Sequence, residues 1–345
     1  MINVILTIIL VNFIPVFLWG NVLGDSQIKT SVSVAKGKEV LGDKNIAGDL
    51  SSGSGEDLGR CNLFPTVEPS ATYTPARKKG IPDLKLWAGS SVAIDADAGT
   101  LLHYDNGRHR TQIASLTKMM TAILTVERIK DLDEEVTVTG EALNVPGTVV
   151  GCPTSVFCNG NRMYKGEKVK AIDLLRVMLL NSANDAATAL GIHMAGSSDK
   201  FADMMNEKAK EMGLKDTHFC TPSGLEIDGQ EDQCYSSAYD IARIAAYSLN
   251  YNLIWDIMRM PDGKFYSTDG KYMHDMKNTD LLLGSIPNCL GGKTGFTPMA
   301  GKSLLLGSVD PGGKHRIIAV VLNDENRWED MRTLVSWVFG SYDWK

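Results

Sequence analysis

The hydrophobic pattern divides the chain into a polar opening stretch and a long folded part, with β pattern at both ends and helical pattern between. Ser91–Ile94 is a short apolar run, Asp95–Gly99 a polar turn and Leu101–Tyr104 a second run, which predicts a returning pair of strands soon after Trp87. Leu116 to Ile129 is apolar on nearly every face (Leu116, Met119, Met120, Ala122, Ile123, Leu124, Val126, Ile129), which predicts a buried central helix. A short strand is expected at Val136–Val138, loops over 140–168, a helix over Ala171–Leu180 and another from about Asp185, with Asn181–Asn184 as the break. Phe201–Met212 and Tyr239–Leu249 also carry helical spacing. β pattern returns at Cys289–Phe296, Ser303–Val309 and Arg316–Asn323, the last two joined by a turn at Asp310–Gly313, and Arg327–Phe339 reads as a closing helix. Strands at both ends with helices between predict one α+β domain whose ends share a sheet.

The first 80 residues follow neither period. Val4 to Trp19 is apolar except for Thr7, Asn12 and Pro15, but at about 16 residues it is short of the roughly 20 that span a bilayer. It fits the apolar region of a signal peptide, with Val22-Leu23-Gly24 offering a small residue ahead of Asp25, although no Lys or Arg precedes it. Residues 1–24 are therefore expected to be a signal peptide or a membrane anchor. Residues 25–80, rich in Ser, Gly, Asp and Lys, are expected to be a disordered linker, because they cannot bury enough apolar surface to offset their ordering entropy. That leaves 81–345 as the folded domain.

Composition narrows the chemistry. With 345 residues, 43% hydrophobic and 22% charged, the chain is ordinary globular protein. A net charge of −6 gives no basic footprint, so no nucleic-acid partner is expected. The six histidines are scattered, with no H-E-x-x-H, and there is no G-x-S-x-G. No metal and no cofactor are expected.

Three short motifs remain. Ser115 and Lys118 stand at i and i+3, one helical turn apart on one face. The spacing alone is weak, since S-x-x-K occurs four times, also at Ser26–Lys29, Ser33–Lys36 and Ser197–Lys200. Only Ser115–Lys118 opens an apolar helix after a strand. A serine N-cap with an exposed lysine would be the bland reading, but Met119 and Met120 follow at once, so Lys118 should be desolvated. Desolvation favours the neutral amine, which suits a base for a serine nucleophile near a helix N-terminus. Ser182-Ala183-Asn184 lies in the break between two apolar helices; S-x-N also matches Ser248–Asn250, at a helix end. K-T-G occurs once, at Lys293-Thr294-Gly295, after Gly291 and Gly292 in an otherwise strand-like segment. Glycine there marks a bulged edge strand or close approach by a backbone or ligand. A ligand lying along it would pair as an added strand and face Lys293 and Thr294.

S-x-x-K, S-x-N and K-T-G in this order resemble the set found in class A β-lactamases and penicillin-binding proteins, with Ala183 where that set has Asp. The stretches Val92–Gly99, Ile113–Lys118, Asn181–Ala187 and Gly292–Thr297 look like the low-molecular-weight D-alanyl-D-alanine carboxypeptidases, as do Asn206–Leu214, Thr217–Phe219 and Ile317–Leu322. The likeness runs from about Ile81 to the last helix. It implies a β-lactamase/transpeptidase-like fold, an antiparallel sheet packed on a helical cluster around a buried central helix. It also implies a serine peptidase that removes the terminal D-alanine from peptidoglycan stem peptides through an acyl-enzyme. By the same resemblance, Ser115 would attack, Lys118 would take its proton and Ser182 would relay a proton to the leaving amine. Asn184 would hold the substrate backbone and Lys118. Lys293 and Thr294, the start of Lys293-Thr294-Gly295-Phe296, would face the carboxylate, joined by Arg327, and the N–H groups of Ser115 and Phe296 would form the oxyanion hole. β-Lactams would acylate Ser115.

Many relatives carry a further β-rich domain and a C-terminal anchor, for which the stretch after the closing helix leaves no room. The resemblance implies export, to the periplasm or another space outside the cytoplasmic membrane, with the N-terminal segment as a tether to its outer face if it is not cleaved. In an exported protein Cys152 with Cys158 and Cys220 with Cys234 could be disulfides, leaving Cys61 and Cys289 as a third pair; six cysteines allow 15 connectivities and buried free thiols are the alternative. A class A β-lactamase needs a deacylating Glu after the second motif. Glu141-Ala142-Leu143-Asn144 precedes it and is one residue short of E-x-x-L-N, so that reading is rejected. A murein D,D-endopeptidase and a penicillin-binding sensor stay open as alternatives.

Overall fold

The apolar runs from the two ends of the chain pair with each other to make the central sheet. The computed structural model describes residues 73–152, 158, 160–286 and 288–344. The expected signal or anchor segment, the linker up to residue 72, and Cys61 lie outside the described residues. In chain order, β1 (Pro75–Arg77), β2 (Ser90–Asp95) and β3 (Leu101–Asp105) lead to a 3₁₀ turn, Ala114–Thr117, and α1 (Lys118–Arg128). Then follow β4 (Glu135–Thr137), α2 (Gly140–Leu143), β5 (Lys168–Lys170), α3 (Ala171–Leu180), α4 (Asn184–Ala195), α5 (Ser198–Glu211), α6 (Ala238–Ser248) and α7 (Asn252–Met258). The chain closes with β6 (Asp262–Tyr266), β7 (Met273–Lys277), β8 (Cys289–Thr297), β9 (Gly301–Val309), β10 (Arg316–Leu322), α8 (Arg327–Ser341) and β11 (Tyr342–Trp344).

The main sheet has the order β3-β2-β10-β9-β8 and is antiparallel throughout. The central strands β9 and β10 read as nearly continuous apolar runs because both of their faces are covered, so each side of the two-residue alternation meets a core. Val92, Ile94, Leu305, Ile318 and Val320 face the larger core, which holds the apolar residues of α1, α3, α4 and α6. Ala93, Leu304, Leu306, Ile317, Ala319 and Val321 face a smaller core closed by Met331, Leu334 and Val338 of α8. Within the larger core α1 is the buried central helix, with Met119, Met120, Ala122, Ile123 and Leu124 all fully buried.

The α+β architecture follows the sequence reading, and several short elements add to it. Pro75–Arg77 pairs with Tyr342–Trp344, and the Tyr73 hydroxyl donates to Asp95 at 3.2 Å, so ordered chain begins ahead of the expected boundary at 81. Three residues are too few to show a period. The β6–β7 hairpin escaped because Asp262-Gly263-Lys264-Phe265-Tyr266 buries only Phe265 well. The stretch 140–168, read as loops, contains α2 and ends at β5. Among the described residues no helix is long and apolar enough to cross a membrane.

Candidate active site

Ser115 lies in the 3₁₀ turn rather than in the first turn of α1, which starts at Lys118. Side chains at i and i+3 eclipse in a 3₁₀ helix, and this brings Lys118 Nζ to 2.8 Å from Ser115 Oγ. The turn is entered through Ala114 at φ 47°, a left-handed setting that alanine disfavours. Ser115 is partly exposed while Ala114, Leu116 and Thr117 are buried, so Ser115 alone of the turn faces outward.

Lys118 is fully buried, and burial holds its pKa well below the usual lysine range; nearby Lys293 adds to this and Asp185 opposes it. Its other neighbours are Asn184 Oδ1 at 2.8 Å and the Ser223 carbonyl at 2.7 Å. A neutral amine has two N–H groups and one lone pair. As an ammonium Nζ donates to Ser115 Oγ; in the neutral form two N–H groups would serve the other two acceptors and the lone pair would face the Ser115 hydroxyl. That is the arrangement a general base needs.

α3 ends at Leu180 and α4 begins at Asn184, with the break where the sequence placed it. Ser182 sits in it at φ 62°, buried, and the Lys293 ammonium donates to its Oγ at 2.9 Å. The break is pinned on both sides. Asn181 Oδ1 accepts the Lys277 N–H at 2.6 Å, and the Asn184 side chain donates to the Pro146 carbonyl at 2.8 Å. Asp185, raised to about 6 by burial against the N–H groups of Val150 and Ala186, fixes the start of α4.

Among the described residues β8 is an edge strand paired only with β9, so one backbone edge remains for an added strand. Two of its glycines answer to different neighbours. A Cβ on Gly295 would lie 2.9 Å from the Ile113 carbonyl, so the glycine lets β8 pack against the turn that carries Ser115. A Cβ on Gly292 would lie 2.5 Å from Asp280 Oδ2. Lys293 is buried, and burial, then Arg327, push it down to about 7, with Asp280 opposing. Thr294 Oγ1 is 2.7 Å from Thr279 Oγ1, and the Phe296 side chain is exposed. Arg327, expected at the carboxylate, instead donates from Nη1 to the carbonyls of Gly295 and Ser303 at 3.0 and 3.2 Å, with its guanidinium over the Trp328 ring. In this structure it braces β8 against β9.

The structure thus gathers Ser115, Lys118, Ser182, Asn184, Lys293, Thr294 and Gly295, with Phe296 at the rim. Glu141 is not among them; it accepts a hydrogen bond from Ser198 at 2.6 Å. Sequence reasoning missed the segment Thr221–Glu226. Besides the Ser223 carbonyl, it brings Pro222, whose carbonyl accepts from Thr121 at 2.6 Å, and Glu226, which accepts from Thr297. Gly224 was its one visible signal. Both expected disulfides, Cys152–Cys158 and Cys220–Cys234, are formed, the second closing a longer loop that contains this segment; Cys289 is buried in β8.

The D-alanyl-D-alanine carboxypeptidase family of S11 peptidases matches residues 76–326. D-alanyl-D-alanine carboxypeptidase DacF of Bacillus subtilis (strain 168) is 32% identical over 81% of this chain and 69% of its own length. DacD of Escherichia coli (strain K12), a carboxypeptidase by name as well, is 33% identical over 73% of this chain and 63% of its own length. The chain therefore spans about two thirds of these relatives. Penicillin-binding protein D2 of Listeria monocytogenes, solved with ampicillin bound, is 28% identical and superposes with a TM-score of 0.62 over 75% of this chain and all of the other.

Proposed function

Since the chain belongs to the D-alanyl-D-alanine carboxypeptidase family, we propose that it removes the terminal D-alanine from peptidoglycan stem peptides through an acyl-enzyme on Ser115. The observation that carries this reading is the 2.8 Å approach of Ser115 Oγ to a fully buried lysine amine.

Ser115 Oγ attacks the carbonyl carbon of the D-Ala-D-Ala bond, and its proton passes to Lys118 Nζ. The N–H groups of Ser115 and Phe296 receive the developing oxyanion; one such donor is typically worth about 10²–10³ in rate. Ser182 hands a proton to the leaving nitrogen, with Lys293 as its hydrogen-bonded neighbour. The proton that Lys118 took refills Ser182 as D-alanine departs, which returns Lys118 to the neutral amine; water then attacks the ester while Lys118 takes its proton, and that proton passes to Ser115 Oγ as the ester bond breaks. The substrate's C-terminal carboxylate faces Lys293 and Thr294, its backbone lies along β8, and Arg327 acts from behind the strand. β-Lactams acylate the same hydroxyl.

We place the enzyme outside the cytoplasmic membrane, held there or exported by residues 1–24, with 25 to about 72 as a linker and the catalytic domain following. Two disulfides and the N-terminal apolar run support this placement.

The test is labelling by a fluorescent penicillin. Wild type should label and Ser115→Ala should not; equal labelling of both would sink the assignment. D-Alanine release from a pentapeptide, set beside cleavage of a crosslinked dimer, then separates carboxypeptidase from endopeptidase.

A further inference from the structure

Three segments meet around Ser115: its own turn, β8, and the loop Thr221–Glu226. The turn touches β8 at Gly295, where a Cβ would meet the Ile113 carbonyl, and touches the loop at Gly224, where a Cβ would meet the Ala114 carbonyl. Glu226 closes the third side. Its Oε1 accepts the hydrogen bond of the Thr297 hydroxyl, which joins the loop to the end of β8. That hydroxyl is itself committed. It accepts the Ala300 N–H at 3.0 Å on a side chain that is 8% exposed, and its one proton goes to Glu226. The loop behind Glu226 is braced as well. Thr221 Oγ1 donates to the Leu225 carbonyl at 3.0 Å and accepts the Gly224 N–H at 3.1 Å. Three residues before Glu226 stands the Ser223 carbonyl, 2.7 Å from Lys118 Nζ, and one residue before Thr297 stands the Phe296 N–H.

We propose that Glu226 is a positioning residue for acyl transfer: through Thr297 it fixes the spacing between the carbonyl that holds Lys118 and the strand that offers the Phe296 N–H. The inference rests on the reading that Ser115 is acylated with Lys118 as base and the Phe296 N–H as one oxyanion donor. Both groups act in the same step. One takes the proton of the attacking hydroxyl, and the other receives the charge that forms on the carbonyl oxygen. Their separation therefore enters the rate directly, and a misplacement of about 1 Å typically costs about 10²-fold. Neither Glu226 nor Thr297 transfers a proton in this scheme. The carboxylate anchor is held by other contacts, Lys293 by Ser182 and Thr294 by Thr279. Loss of the tie should thus slow the reaction and leave binding nearly unchanged.

Glu226→Ala and Thr297→Val each remove one partner of the hydrogen bond, whereas Glu226→Gln keeps an acceptor for the Thr297 hydroxyl. The limiting rate of acylation by fluorescent penicillin should fall between about tenfold and 10²-fold in each of the first two. The double variant should be no slower than the slower single, because both changes break one contact. The penicillin concentration giving half the limiting rate should stay within about twofold of wild type. Glu226→Gln should acylate within about threefold of the wild-type rate. Thermal midpoints check folding. Glu226 is a part-exposed loop side chain, so its truncation should be tolerated. If Thr297→Val does not fold, the contrast between Glu226→Ala and Glu226→Gln carries the test. Wild-type rates in Glu226→Ala, rate losses that multiply in the double variant, or Glu226→Gln as slow as Glu226→Ala overturn the proposal. Failure of the wild type to label would instead overturn the acyl-enzyme reading, so the two failures are distinct.

Discussion

Gly224 gives the sharpest test of how the turn carrying Ser115 is held. It sits at φ +81°, and a Cβ there would lie 1.9 Å from the Ala114 carbonyl oxygen and 2.6 Å from Thr117 Oγ1. Contacts to a Cβ essentially never fall below 3.0 Å, so Gly224→Ala must part the loop from the turn by about 1 Å. Ala114 and Thr117 bracket Ser115, and the neighbouring Ser223 carbonyl accepts from Lys118 Nζ, so the displacement falls on the proposed nucleophile and on its proposed base. A misplacement of about 1 Å typically costs about 10²-fold in rate, equivalent to about 2.7 kcal/mol of barrier. The left-handed setting adds roughly 1–2 kcal/mol of instability for any residue with a Cβ. The assay is the second-order rate of acylation by fluorescent penicillin, beside the thermal midpoint. Acylation should fall about 10²-fold in a protein that still folds. Wild-type acylation at wild-type stability would refute the close approach of these two segments and the reasoning built on it.

Two further outcomes follow from groups outside the reacting centre. Replacing Cys220 and Cys234 by Ala opens a sequence separation of 14, which should cost about 3 kcal/mol and also slow acylation, since the loop inside carries the Ser223 carbonyl; a lower midpoint with unchanged acylation would show that the loop needs no clamp. His274 and Glu167 are both fully buried and 2.7 Å apart; burial lowers the His274 pKa, but Glu167 and the Asn161 carbonyl raise it by more. Its stabilisation is complete below the unfolded value of 6.5 and fades as pH rises through the higher folded value. His274→Gln should therefore cost about 3 kcal/mol at pH 6, and its gap from wild type in denaturant unfolding should narrow by pH 9; a gap constant with pH would refute the charged pair.

The large elements were legible because apolar period is a side-chain property written directly in the sequence. α1, α3 and the strands β2, β8, β9 and β10 announced themselves in this way. The serine and lysine of the site stood out because each sits in an apolar neighbourhood that a polar side chain should avoid. What stayed hidden works through the backbone or through distant pairing. The Ser223 carbonyl has no residue signature, and Gly224 named a permissive position without naming its neighbour. Asp280 fell in a polar stretch between strands, and only the fold shows it filling the space above Gly292. Arg327 was expected at the substrate from the family resemblance alone, and the sequence cannot show that two carbonyls hold its Nη1.

The left-handed backbone settings carry a consequence for engineering. Among the described residues, Asn106, Ala114, Ser182, Asn288 and Asn323 are the non-glycines with positive φ. The asparagines tolerate it; Ala114 and Ser182 do not, and both belong to the site. A screen selecting only for heat resistance would find its simplest gains by putting glycine or asparagine at 114 and 182. It would thereby loosen the turn that aims one serine and remove the hydroxyl of the other. Directed evolution of this enzyme should therefore select on turnover and stability together, or keep these two codons out of the library.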